Sequence, residues 1–193
     1  LPGFDADFLQ ACGGEKNPQP ACRKGGLRWQ SYSAPDSVID LDQALSAQER
    51  AAAYAYREII GDGEKLVFLS LGSNDGCRVW LNGEQVWDYA AGRGLKPDQD
   101  LIPVLLRKGK NRLLLKIEER GNNWQFCVRL QPFSFQTLAD QGRLLQIRQR
   151  PNGAAVLQFQ PTAPVLKKMM RRLQCQVLTE EDGPTPLWQA QWA

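Results

Sequence analysis

The 193-residue sequence predicts an all-β protein, most simply a β-sandwich of the jelly-roll type. Three observations favour this class: many short runs rich in β-branched and aromatic residues, turn residues between them at regular intervals, and no long amphipathic helical pattern. Alternation is clearest at Leu113, Leu115 and Ile117, which share one face, and in residues 124–130, where four apolar side chains do so. Half-buried strands that pack on one core produce this pattern.

Seven strands are predicted in the first two thirds of the chain. They are residues 53–59, 65–71, 78–81, 85–89, 101–106, 111–118 and 124–130. After Pro132 four more candidates follow, at 144–147, 155–159, 173–178 and 187–192. The sequence therefore predicts a sandwich over residues 1–132. Residues 133–193 are either a second small β unit, incomplete at the end of the chain, or an extension that completes the first sandwich.

Asn82-Gly83 is the strongest local signal in the chain, because this dipeptide suits a two-residue turn that needs positive φ at both positions. The turn predicts the register of a β-hairpin. In that register Leu81 faces Glu84, Trp80 faces Gln85 and Val79 faces Val86, so Val79 and Trp80 lie on opposite faces.

The residues before the first predicted strand show little periodicity. Residues 1–40 contain several Gly and Pro turn formers and predict long surface loops with little regular structure. Ser46 and Glu49 have the spacing of a capping box, and the alanines after them favour at most a short helix.

Charge and hydropathy exclude several classes of function. The 24 basic and 21 acidic residues give a net charge of +3 and are interspersed, unlike the basic stripe of a nucleic-acid-binding protein. The short basic run at 167–172 is more typical of a solvated strand edge. No apolar run approaches the roughly 18 residues of a membrane span, and no signal peptide is visible. We therefore expect neither nucleic-acid binding nor a membrane span.

The five cysteines leave two interpretations open. Cys12 and Cys22 flank a Gly/Pro/Asn-rich loop, whereas Cys77, Cys127 and Cys175 lie in predicted strands. A Cys12–Cys22 disulfide would indicate an oxidising compartment. The alternative is five unpaired thiols.

The chain contains no histidine, which removes the commonest general base and most zinc and copper sites. Carboxylate pairs such as Glu118 with Glu119 remain, but neighbours on a strand face opposite ways and make a poor glycosidase pair. No glycine-rich phosphate loop is present. Catalysis by this chain alone is disfavoured.

Several short motifs, taken together in order, resemble the galactose-binding-domain-like β-sandwich, in the version similar to the sugar-binding domain of family 2 glycoside hydrolases. They cover about two thirds of the chain and lie at Phe8, 13–15, Trp29, 38–41, 53–56, 71–76, 79–83, Arg93, 97–100, 106–111, 113–116 and Trp124. The resemblance implies a non-catalytic module appended to secreted, periplasmic or cell-envelope proteins. It also implies carbohydrate binding through loops at the sandwich edge and, in some relatives, a structural calcium.

A sugar site needs an aromatic face and a few groups that bind hydroxyls. The expected ligand-binding residues are Trp87, Tyr89, Arg93, Asp98, Asn122 and Asn123. An ion pair between Arg93 and Asp98 or Asp100 is an equally simple explanation for this arginine. Calcium could be bound by oxygens of Asp36, Asp40, Asp42, Asp98 and Asp100, although none follows a spaced calcium-loop motif.

Two functions follow from these expectations. The first is a carbohydrate-binding or ancillary β-sandwich module of a larger exported protein. The alternative is a structural module that docks other protein subunits of a cell-envelope assembly, which an exposed apolar patch would favour. Trp80 and Trp124 are expected in the core rather than in either site.

Overall fold

The computed structural model describes residues 4–26, 28–134, 137–138, 145–149, 155–159, 173–178 and 186–192. The chain divides into two compact units, Leu1–Phe135 and Gln136–Ala193. In the first unit the elements are β1 (Ile39–Asp40), α1 (Leu41–Leu45), β2 (Ala52–Gly61), β3 (Lys65–Asn74), β4 (Cys77–Leu81), β5 (Glu84–Tyr89), β6 (Asp100–Leu106), β7 (Gly109–Glu118) and β8 (Gln125–Pro132). All seven strands predicted here are confirmed, with bounds that differ by at most a few residues.

The first unit is an all-β sandwich of two four-stranded antiparallel sheets. Their strand orders are β1-β8-β3-β6 and β2-β7-β4-β5, and we call them sheet 1 and sheet 2. Alternate side chains of both sheets form one apolar core, as period-2 strands require. Its fully buried members include Leu69, Leu71, Ile102, Leu115, Ile117, Trp124 and Phe126.

The Asn82-Gly83 hairpin forms between β4 and β5, with positive φ at both turn residues. Leu81 faces Glu84 and Trp80 faces Gln85, as predicted. The prediction that Val79 faces Val86 was wrong, because a β-bulge shifts the register and places Val79 opposite Trp87. Through this bulge both Val86 and Trp87 pack against the core.

The prediction of a helix capped by Ser46 and Glu49 was wrong, because Ser46 ends a short helix instead of beginning one and the alanines after it enter β2. Helix α1 begins after Asp40, whose Oδ1 accepts a hydrogen bond from the Gln43 amide at 3.0 Å. It ends at Ser46, which has φ of 75°. An aspartate N-cap therefore fixes this helix.

The segment before β1 is a packed cover rather than a free surface loop. It contains a 3-10 helix, Gln10–Cys12, and buries Leu9 against Trp80 and Leu114 on the outer face of sheet 2. Cys12 and Cys22 form the expected disulfide, with Cα atoms 5.6 Å apart.

Lys116 joins this cover to the sandwich. Its side chain is 0% exposed, and its ammonium donates to the carbonyls of Phe4 (2.7 Å) and Ala6 (2.5 Å) and to the carboxylate of Glu15 (3.0 Å). The rings of Phe4, Phe8 and Tyr54 surround the ammonium with centroids 5.2–5.6 Å away. This lysine satisfies its three donors and thereby fixes the N-terminal cover.

In the second unit the described residues form two antiparallel strand pairs. They are β9 (Leu145–Gln149) with β10 (Ala155–Phe159) and β11 (Leu173–Leu178) with β12 (Pro186–Trp192). All four predicted strands of this region are confirmed. The two alternatives for residues 133–193, a second small β unit or an extension that completes the sandwich, both stay predictions. No helix among the described residues is long and apolar enough to cross a membrane.

Candidate functional site

The loop between β5 and β6 carries two of the six expected ligand residues, Arg93 and Asp98, and Tyr89 ends β5 directly before it. In the structure the Arg93 side chain is bound by other residues of the chain. The Arg93 guanidinium donates to both carboxylate oxygens of Asp100, at 3.2 and 2.5 Å, and to Ser73 Oγ at 2.8 Å. It lies 4.1 Å from the centroid of the Tyr89 ring. Arg93 and Asp100 are largely buried, so the arginine–carboxylate bridge weighed from the sequence exists, with Asp100 as the partner.

The same loop lies directly against the outer face of sheet 1. A Cβ added at Gly72 would lie 2.2 Å from the carbonyl oxygen of Lys96, so only glycine allows this approach. The Asp98 carboxylate accepts hydrogen bonds from Arg129, Ser70 and Gln131. The Arg129 guanidinium, and then the Ser70 hydroxyl, lower the pKa of Asp98.

The remaining expected ligand residues lie apart from this cluster. Trp87 packs against the core, and Asn122 and Asn123 are exposed in the turn before β8, with Asn122 at φ of 78°. The described hydrogen bonds and ion pairs join neither asparagine to Tyr89 or Arg93. The structure thus brings Tyr89 and Arg93 together, while a single six-residue sugar site stays a prediction.

The carboxylates considered for calcium accept hydrogen bonds from different groups of the chain. Asp36 accepts from the Val38 amide, Asp40 caps α1, and Asp42 accepts from the Trp124 amide. The Gln43 amide, followed by Gln125, lowers the pKa of Asp40. No group of three or more potential metal-ligating side chains occurs in the described part of the chain.

A groove of about 450 Å³ opens at the sandwich edge where β2 of sheet 2 and β8 of sheet 1 face each other. We call it the edge groove. Its lining is mainly apolar and aromatic, and reaches into the core between the sheets. The lining residues include Trp29, Tyr32, Ile39, Leu41, Leu45, Ala55, Tyr56, Ile59, Phe126, Val128 and Leu130.

Large apolar side chains are exposed at the mouth of the edge groove. Leu130 follows Phe126 and Val128 on the core-facing side of β8, yet it is 40% exposed because the groove leaves it uncovered. Tyr32 and Leu45 are each 42% exposed. Trp29 forms one wall, with its ring edge-on to Tyr56 at a centroid distance of 6.0 Å.

The polar groups of the edge groove are cationic or neutral. Among the described residues, its lining contains Arg28, Arg57 and Arg129 but no aspartate or glutamate. Arg129 is paired with Asp98, whereas the side chains of Arg28 and Arg57 form no hydrogen bond or ion pair with another described residue. Arg57 shares the phase of Ala53, Ala55 and Ile59, so it stands on the core-facing side of β2.

No family model matches this chain, and no match to a curated protein sequence was found.

The thiol and the carboxylates considered for catalysis lie in environments that do not suit that role. Burial raises the pKa of the Cys77 thiol, which disfavours the nucleophilic thiolate. Glu118 pairs with Arg120, while Glu119 is 2% exposed and neither of its carboxylate oxygens has a well-formed hydrogen bond among the described residues. Burial, then the nearby carboxylates of Asp75, Asp42 and Glu49, raise the pKa of Glu119.

Sequence reasoning missed the edge groove. Arg57 was the readable signal, because a charged residue interrupts an otherwise apolar phase of a predicted strand. The contribution of Tyr32 and Leu45 could not be read, since it depends on where a loop and a short helix meet the sandwich.

Proposed function

We propose that this chain is a non-catalytic β-sandwich module of a larger exported protein and that its edge groove docks a segment of a protein partner. The observation that carries the proposal is the apolar groove with exposed Tyr32, Leu45 and Leu130 at its mouth. Clustered exposed apolar side chains of this kind are typical of interaction sites.

The strand orders of the two sheets support the jelly-roll and galactose-binding-domain-like assignment. The Cys12–Cys22 disulfide supports an exported protein of the secreted, periplasmic or envelope class. The missing histidine, and the separate surroundings of Glu118 and Glu119, support a non-catalytic role.

Carbohydrate binding is the second candidate. The half-exposed ring of Tyr32 lies beside Arg28 and Gln30 in the groove lining, and an aromatic face next to polar groups suits a sugar. The ring of Tyr89, at the end of β5, is the other place for a sugar to stack.

The two functions separate in one parallel experiment. The purified chain is screened on a glycan array and against a phage library of random twelve-residue peptides, and each hit is measured again on three variants. Leu130→Arg places a charge at the mouth of the groove. Ile60→Arg is the matched control, since Ile60 is 70% exposed on β2 and is not part of the lining. Tyr89→Ala tests the loop.

Protein docking predicts peptide hits that are lost in Leu130→Arg and kept in Ile60→Arg and Tyr89→Ala. A glycan hit that disappears in Tyr89→Ala would instead establish the carbohydrate module. Peptide screens that yield no hit dependent on Leu130 would overturn the docking function.

A further inference from the structure

Beside the edge groove, part of one edge of strand β8 is paired with no described strand. Strand β1 covers only its beginning, with Ile39 opposite Phe126 and Asp40 opposite Gln125. From Val128 to Pro132, β8 pairs with β3 on one side and with no described strand on the other. Five residues of strand, about 16 Å, are thus open to pairing.

The direction of the free backbone groups follows from the β1 contact. The Trp124 carbonyl accepts a hydrogen bond from the Leu41 amide at 2.8 Å, so it points away from β3. Backbone groups of alternate residues in a strand point to the same side. Val128 and Leu130 therefore direct their amides and carbonyls to the open edge, while their side chains line the groove.

Arg57 decides which segment can use this edge. An arginine on the core-facing side of an edge strand opposes a purely apolar strand, because covering it would bury an unpaired charge. A segment with a carboxylate at the matching position removes that penalty. Among the described residues the Arg28 side chain also has no partner and the lining holds no acid, so the groove is complementary to an acidic segment.

We propose that the edge groove binds an extended segment of a partner protein by strand addition to β8, with apolar side chains at alternate positions and an acidic side chain opposite Arg57. This inference rests on the docking function proposed above. Backbone hydrogen bonds to Val128 and Leu130 supply the pairing, and the groove receives the alternate side chains.

The test uses the full chain and a blocked nine-residue peptide, Val-Thr-Val-Thr-Glu-Thr-Val-Thr-Val. A second peptide carries lysine in place of glutamate, and a third and a fourth carry N-methyl groups on the two alternate sets of backbone amides. Binding is measured by fluorescence anisotropy of labelled peptides. We expect the glutamate peptide to bind about tenfold more tightly than the lysine peptide, a preference that Arg57→Glu reverses.

The readouts separate this inference from the proposed function. N-methylation in the register that faces β8 should abolish binding, and the other register should not. Equal binding of all four peptides, lost in Leu130→Arg but kept in Ile60→Arg, would overturn strand addition while leaving a docking groove. No binding by any of these peptides, or concentration-dependent dimerisation that Leu130→Arg prevents, would overturn the inference, the latter by identifying a second copy as the occupant.

Discussion

Replacing Lys116 with methionine tests how the N-terminal cover is held to the sandwich. Methionine keeps an apolar chain of similar length, so the change removes the ammonium with little loss of volume. It deletes hydrogen bonds to the carbonyls of Phe4 and Ala6 and the ion pair with Glu15. The two carbonyls would then lack this donor, and the Glu15 carboxylate would keep only the hydrogen bond from the Tyr54 hydroxyl, at 2.7 Å.

The magnitude follows from the burial of this contact. Lys116 is fully buried and Glu15 is only 15% exposed, so solvent cannot replace the lost donor without opening the cover. Removing one member of a buried ion pair costs about 3–5 kcal/mol of unfolding free energy. We expect Lys116→Met to lie in this range.

Lys110→Met is the matched control, since Lys110 is on the same strand and pairs with Glu58 at the surface, with the lysine 69% exposed. An exposed pair contributes about 0–1 kcal/mol. The assay is hydrogen exchange of the Leu113, Leu115 and Ile117 amides, because β7 lies inside sheet 2 and its amides report on unfolding of the first unit without a contribution from the second. A loss below about 1 kcal/mol in Lys116→Met, no larger than in the control, would refute this explanation of the cover.

Three further perturbations test other contacts of the first unit. The free energy of unfolding of Glu119→Gln, relative to wild type, should increase as the pH rises from about 4 to 8. The raised pKa of Glu119 means that wild type loses stability when the buried carboxylate ionises, whereas glutamine stays neutral. Urea titrations across this pH range measure the difference, and a gap independent of pH would contradict the pKa shift. The double substitution Cys12→Ser with Cys22→Ser should lower the free energy of unfolding by about 2–3 kcal/mol on the chain-entropy model. A change under about 0.5 kcal/mol in urea unfolding would show that the disulfide does not stabilise the cover. Arg93→Ala leaves a buried carboxylate unpaired and should cost about 3 kcal/mol in the same assay. Unchanged stability would instead favour a ligand-binding role for this arginine.

The strands were predictable because their signal is local. Alternation at Leu113, Leu115 and Ile117 and the turn at Asn82-Gly83 depend on neighbours in sequence, and both survive in the structure. The bulge beside Val79 was not predictable from the sequence. It lets Trp87 reach the core, and that contact depends on packing between the two sheets.

The site was harder to predict because its contacts are distant in sequence. Lys116 has the phase of an outward polar residue, and it does point outward, but a segment about 100 residues away covers it completely. Arginine is a residue type that often binds ligands, so the sequence left two roles open for Arg93. The fold shows that Asp100 and Ser73 occupy its donors. The edge groove depends on where β1 ends, and a two-residue strand leaves almost no trace in sequence.

Amide hydrogen exchange at Val128 and Leu130 tests the central claim most directly. The measurement compares the full chain alone with the chain bound to a peptide selected on the edge groove. An open edge predicts fast exchange of both amides in the free chain, compared with Leu69 and Leu71 in the middle of sheet 1, and strong protection when the peptide binds. Slow exchange at Val128 and Leu130 in the free chain, unchanged by the peptide, would contradict an open docking edge.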